Sequence, residues 1–394
     1  MCIRDSSAGI PGMRRGILAL LLFLVFLKPT ALPVWGQEGT EELAGDLQED
    51  LLNREEIKEV QKALEELLGE DSFSFFDMLL DLMNGETGQL KEEFSGLIRE
   101  VFLRQMIQEK ALFVEILLLV LAAALLTNFT HLFSEGQIGE VSFYVIYLLL
   151  LTMLFKAFGE MSLELGELLE RLGNFMKVLS PAYCLAVAAA GGTVGSAMFY
   201  QLALFAITAV QVLLAGVVLP GINIYLLLLF VNLISKEDFL SRMAELLETV
   251  IQWTLKTLLT AVIGLQVVQR LIAPAVDSLR RSLLGKTAAA LPGIGNAVNA
   301  VTEVVFGTAV LIRNCIGVTA MAVLLLAGLR PLVRLAVTSF LYRLLGALAQ
   351  PVSDRRMVSA LEAMGKGCGF LLRLLFTAEL LFLLTIALLA GSLS

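Results

Sequence analysis

Gly369-Phe-Leu-Leu-Arg-Leu-Leu-Phe-Thr-Ala-Glu-Leu-Leu-Phe-Leu-Leu-Thr-Ile-Ala-Leu-Leu-Ala390 carries two ionisable side chains, Arg373 and Glu379, in an otherwise apolar run. The hydrocarbon core of a bilayer takes roughly 20 consecutive apolar residues per helix, and this stretch has that length. Ala111 to Phe133 and Val250 to Ala273 share its character, and from residue 111 onward apolar stretches follow one another with short interruptions. The chain therefore reads as an all-α, polytopic membrane helix bundle of about 7–9 membrane helices.

Composition agrees. Hydrophobic residues make up 57% of the chain, charged residues 17%, and the mean hydropathy is +0.82, well outside the range of a soluble domain. The net charge of −8 is unevenly spread. Residues 37–110 hold 20 Asp and Glu against 7 Lys and Arg, whereas residues 111–394 hold 16 against 18. No clustered basic face points to nucleic acid. Cys2, Cys184, Cys315 and Cys368 form no CxxC pair, so neither a disulfide framework nor a zinc knuckle is implied. Cys184 and Cys315 lie in apolar runs, where a thiol acts as a small hydrophobe.

Three regions follow. Residues 1–36 contain Arg14-Arg15, the apolar run Gly16 to Leu27 and then Lys28-Pro29, the basic start, short apolar core and breaker of a signal peptide. The first 12 residues look foreign to that unit, with translation expected to start at Met13. Residues 37–110 form an acidic helical segment expected to be exported. Within it Asn53 and Glu56 suit a capping box, and Ile57, Val60, Leu64, Leu67 and Leu68 fall on one helical stripe that Gly69 should end. The acidic surface is read as a solvated face, with a docking surface as the sharper alternative. Residues 111–394 form the multispan domain.

Candidate spans lie near 112–133, 142–158, 180–199, 201–219, 221–235, 250–273, 304–328, 331–349 and 369–391. The Pro220-Gly221 pair suggests a sharp turn and a short re-entrant stretch after it. Residues 160–177 and 274–303 alternate charged and apolar residues in a pattern that suits helices lying along the membrane surface. Basic runs at Arg270 to Lys286 and Arg355 to Lys366 are expected on one, cytoplasmic, side if two spans separate them.

Ionisable groups within apolar spans are the first functional candidates, because each is costly in hydrocarbon. They are Lys256, Glu379 and Arg313. Lys256 and Glu379 are expected to face the bundle interior or a watery cavity, with mutual pairing as one arrangement. Gly191 and Gly195 form a GxxxG with Gly192 beside them, a small face for close helix packing, within the monomer or between copies. Gly365-Lys-Gly-Cys-Gly369 lacks the spacing of a phosphate loop. Neither HExxH nor GxSxG is present. No catalytic, cofactor-binding or metal-binding set emerges, and no cofactor is expected.

The residues Leu291, Pro292, Gly293, Gly295, Gly307, Asn314 and Gly317 punctuate the run Lys286 to Gly317, which resembles the central signature of the stage III sporulation protein AE family. Ser180-Pro-Ala-Tyr183 followed by Ala188-Ala-Ala-Gly-Gly192, and Pro351-Val-Ser-Asp-Arg-Arg-Met-Val-Ser-Ala-Leu361, resemble two further places of that family in the same order. The resemblance implies a non-enzymatic component of a channel-like or secretion-like apparatus in the mother-cell membrane facing the forespore, needed for late forespore development, with other membrane subunits of that apparatus as partners. Membrane lipid is a further partner, and self-association is open. A secondary transporter and a purely structural scaffold are the alternative readings.

Overall fold

In the computed structural model the described residues are 55–69, 137–189, 193–235, 240–288 and 295–391, with scattered positions between 74 and 125. They form helices and contain no strand. The helices are α1 (Glu55–Leu68), α2 (Gln137–Ala189), α3 (Thr193–Leu213), α4 (Leu219–Ile234), α5 (Ser241–Ala288), α6 (Gly295–Ala349) and α7 (Arg355–Gly391), with a π-helical turn, Leu214–Val218, joining α3 to α4. The expected signal peptide at 1–36 and most of the acidic segment lie outside the described residues.

α1 follows its sequence pattern closely. Val60, Leu64 and Leu67 are buried on one stripe, while Glu55, Lys58, Glu59, Lys62, Glu65 and Glu66 face outward. Gly69 ends the helix at φ +63°, the left-handed conformation that closes helices and that glycine adopts without a Cβ penalty. The Phe75 backbone N–H then donates to Gln61 Oε1 at 2.6 Å. The buried stripe packs chiefly on α2.

Five helical stretches are long and apolar enough to cross a membrane among the described residues: Val141–Ala186, Tyr200–Ile234, Ser241–Leu265, Val310–Ala349 and Arg355–Ala387. Several are fusions of stretches that the sequence separates. α2 runs unbroken through Pro181 and α6 through Pro331, since membrane helices tolerate a proline whose freed carbonyl is satisfied locally. The expected 180–199 span is instead divided between α2 and α3, around the Gly191-Gly192 pair, which lies outside the described residues.

Pro220 does not make a sharp turn. Its ring would clash with the carbonyl four residues back in a regular α-helix, and the π turn just before it relieves that conflict. Leu219 N–H reaches Leu214 O, five residues back, and the helix continues from Tyr200 to Ile234. A π-bulge that accommodates the proline within one helix stands in place of the expected re-entrant hairpin.

The segments expected to lie along the membrane surface are also parts of these long helices. In residues 160–177 of α2, Met161, Leu165, Leu168, Leu169, Leu172, Phe175 and Met176 are buried against protein, while Glu160, Glu164, Glu167 and Glu170 face outward. Residues 274–288 continue α5, and 295–303 begin α6. The two basic runs are helical as well, the first within α5 and the second within α7.

Side-chain contacts set the register. Tyr147 Oη donates to Leu233 O at 3.1 Å and Ser162 Oγ to Asn223 Oδ1 at 2.7 Å, so α2 runs antiparallel to the α3–α4 helix. Arg334 pairs with Glu164, and Gly317 faces the Tyr183 ring, which makes α6 antiparallel to α2. α6 and α7 form the most extensive helix pair, also antiparallel, and α7 lies at the centre, touching α2, α3, α4, α5 and α6.

Candidate functional site: polar groups in the bundle interior

The α6–α7 contact is built on glycines. Gly365 and Gly369 of α7 are four residues apart and receive Ser339 and Arg343 of α6. Ser339 Oγ donates to Gly365 O at 2.9 Å in a buried position. Gly367, on another side of α7, receives Leu226 of α4 and Phe158 of α2, where a Cβ would come within 2.9 Å of Leu226 Cδ1. The glycine run read only as an unsuitable phosphate loop is thus a three-way helix-packing surface. Its GxxxG spacing is the signal that finds it.

Glu379 lies further along the same pair. It is 3% exposed, and neither carboxyl oxygen has a hydrogen-bond partner. The carboxyl sits directly over Gly328 of α6, in the space a Cβ would occupy. The expectation that Glu379 faces the interior holds, but it is not paired with Lys256, which is exposed. On α5 the buried stripe is Ala244, Ile251, Leu255 and Val262. Lys256 is turned about 100° from Leu255 around the helix and leaves the interior, where its long stem can carry the ammonium along the surface. Placing Lys256 inside the bundle was therefore incorrect.

Arg313 is 6% exposed. Its Nη2 donates to the neighbouring Asn314 Oδ1 at 3.3 Å, and its Nε has no partner. One helical turn on, Gly317 lies under the Tyr183 ring, where a Cβ would be 3.5 Å from Cε2. The Tyr183 hydroxyl is buried without a hydrogen-bond partner, as is that of Ser180. The structure thus joins the Ser180–Tyr183 motif to the Arg313–Gly317 end of the central signature. Periodicity within one segment does not reveal such a contact between helices. Leu291, Pro292 and Gly293 lie outside the described residues, while Gly295 and Gly307 belong to α6 and Gly195 to α3.

A third polar locus closes the other end of α2. Arg356 Nη1 donates to Tyr144 Oη at 2.7 Å, with the guanidinium 5.5 Å from that ring's centroid. Asp354 caps α7: its Oδ1 accepts from Arg356 N at 2.8 Å, the arrangement that satisfies an otherwise orphaned helix donor. On α4 and α5, Tyr225 Oη and Gln252 Nε2 both donate to Glu248, each at 3.1 Å.

None of these loci has the geometry of a catalytic set: no nucleophile and base face each other, and no group of three or more His, Cys, Asp or Glu among the described residues could hold a metal ion. Cys315 and Cys368 are buried and Cys184 half-buried, in keeping with packing roles.

Length, apolarity and helix-only architecture define the class, a polytopic α-helical membrane protein. The sequence model of the stage III sporulation protein AE family matches residues 73–392, and the chain belongs to that family. It is 22% identical over 319 residues to the stage III sporulation protein AE of Bacillus subtilis (strain 168), covering 80% of each chain. No solved structure matches.

Proposed function

We propose that this protein is a non-enzymatic, multi-pass component of the apparatus that links mother cell and forespore, residing in the mother-cell membrane that faces the forespore and required for late forespore development. Family membership over residues 73–392 carries this reading. A glycine-packed bundle with buried polar groups and an amphipathic α1 docked on it is compatible with a membrane platform on which other subunits assemble. Deleting the gene in its spore-forming host should leave vegetative growth intact and arrest sporulation with an engulfed forespore that does not mature. Co-purification with other membrane subunits of the apparatus should survive mild detergent.

One observation favours a second reading. Glu379, buried without a partner, is the kind of intramembrane carboxyl that transporters place on an ion or proton path. A growth defect tied to one nutrient, with normal sporulation, would select a permease over the platform.

A further inference from the structure

α7 is packed on nearly every side, and the side chains that stand fully out from its described length are Arg355, Glu362, Lys366 and Arg373, all ionisable. A helix surface meeting only acyl chains would show leucines there. The last three follow at spacings of 4 and 7 residues and so share one stripe. Arg343 of α6 is laid against the same stripe: its Nη2 is 3.4 Å from where a Cβ on Gly369 would be, between Lys366 and Arg373. Arg373 holds its guanidinium 5.3 Å from the Phe370 ring centroid. Lys366 to Arg373 spans only about 10 Å along the helix, so three cations are gathered with one anion, Glu362, beside them.

No acidic side chain among the described residues forms an ion pair with Arg343, Lys366 or Arg373. Their surroundings are apolar. Phe340, one turn from Arg343, is 61% exposed, Phe376, one turn past Arg373, is half-exposed, and Lys366 and Arg373 bracket Gly369, where the apolar run of α7 begins. Cations at the edge of an apolar surface are the complement of an anionic phospholipid, with its phosphate on the guanidinium forks and its acyl chains on the aromatic rings.

We propose that Arg343, Lys366 and Arg373 form a binding site for the phosphodiester of an anionic phospholipid, with Phe340 and Phe376 receiving its chains. The site requires only that the chain be embedded in a membrane, so it stands or falls separately from the sporulation role. Gene deletion tests that role, and lipid retention tests the site.

The test is native mass spectrometry of the full chain in a neutral detergent, titrated with phosphatidylglycerol and, in parallel, phosphatidylcholine or inorganic phosphate. Wild type should retain phosphatidylglycerol in preference to phosphatidylcholine. Arg343→Gln, Lys366→Gln and Arg373→Gln should each weaken retention several-fold, and the triple variant by roughly a hundredfold. Arg242→Gln, which removes an exposed cation paired with Glu245 on α5, should change nothing. Arg343→Lys with Arg373→Lys preserves the charge and should keep most of the affinity, which guards against a folding defect in the triple variant. Equal retention of the two lipids, or a triple variant that holds phosphatidylglycerol as wild type does, overturns the proposal. Displacement of the lipid by millimolar inorganic phosphate would overturn it in favour of a free-phosphate site. Loss of self-association in the triple variant with lipid binding intact would overturn it in favour of an acidic protein partner.

Discussion

Gly328→Ala tests whether a glycine makes room for the buried carboxyl. An added Cβ falls on the Glu379 carboxylate, a group that is itself 3% exposed and surrounded by packed α6 and α7. The carboxyl is buried, so either its rotamer or the helix separation must change. Overpacking of this kind costs about 1–3 kcal/mol. Glu379→Ala removes the obstruction together with an unsatisfied buried acid, trading a cavity for a lost desolvation penalty. The double variant should therefore be more stable than the sum of the single effects, by a coupling of roughly 1–3 kcal/mol, as for residues in direct contact. Reversible unfolding of the detergent-solubilised protein in sodium dodecyl sulfate supplies the four free energies of the cycle. Gly173→Ala is the comparison: the nearest atoms to its Cβ would be those of the Gln211 side-chain amide, at 2.7 Å, a flexible end that can swing aside, so it should cost less. A Gly328→Ala protein as stable as wild type, or strict additivity in the double variant, would refute the proposed close packing.

Asp354→Ala removes the side-chain acceptor at the start of α7 and should destabilise the protein by about 1 kcal/mol in the same assay, whereas Asp354→Asn, which keeps an acceptor, should lose little. Tyr144→Phe deletes the acceptor of the Arg356 bond and should cost roughly 1–3 kcal/mol, as for a hydrogen bond from a charged donor. Gln48, in the acidic segment, is expected outside the cytoplasm, so Gln48→Cys should react with a membrane-impermeant maleimide in intact cells. Labelling only after lysis would reverse that topology.

Much of the fold is written in local pattern. Helix class, the Val60–Leu64–Leu67 stripe and the Gly69 stop depend on spacing within one turn or two, and the structure keeps them. Element boundaries were less legible because the breaks were assigned to prolines. A proline ends a helix only when nothing absorbs its missing N–H, and at Pro220 the π turn Leu214–Val218 just before it does so. Site residues divided on the same principle. Glu379 could be placed inside from hydropathy alone, since a carboxyl amid leucines is costly on a lipid-facing surface. Its neighbour Gly328 could not, because that contact joins residues 51 positions apart. Lys256 was misplaced because hydropathy registers depth along a helix but not direction around it, and the neighbouring Leu255 holds the buried position.

Helix length bears on the platform reading in its own right. α6 has 55 residues and so extends roughly 80 Å, against a hydrocarbon core about 30 Å thick. Exposed apolar side chains occur toward both of its ends: Val310 and Leu311 at one, Phe340, Leu344 and Leu348 at the other. Val310 and Leu348 are about 57 Å apart along a straight helix. Holding both in hydrocarbon would need a tilt near 60°, beyond the roughly 0–40° range of membrane helices. One of the two exposed apolar groups therefore lies outside the acyl region, where an uncovered patch is unfavourable in water. If the cationic stripe of α7 sets the phosphate level beside Phe340, hydrocarbon extends along the apolar run of α7 and, α6 being antiparallel, toward Val310, so the group left to be covered is Leu344 with Leu348. Contact with another membrane subunit there would cover apolar surface that water does not, and Leu344→Ser with Leu348→Ser should disrupt co-purification before they disturb the bundle.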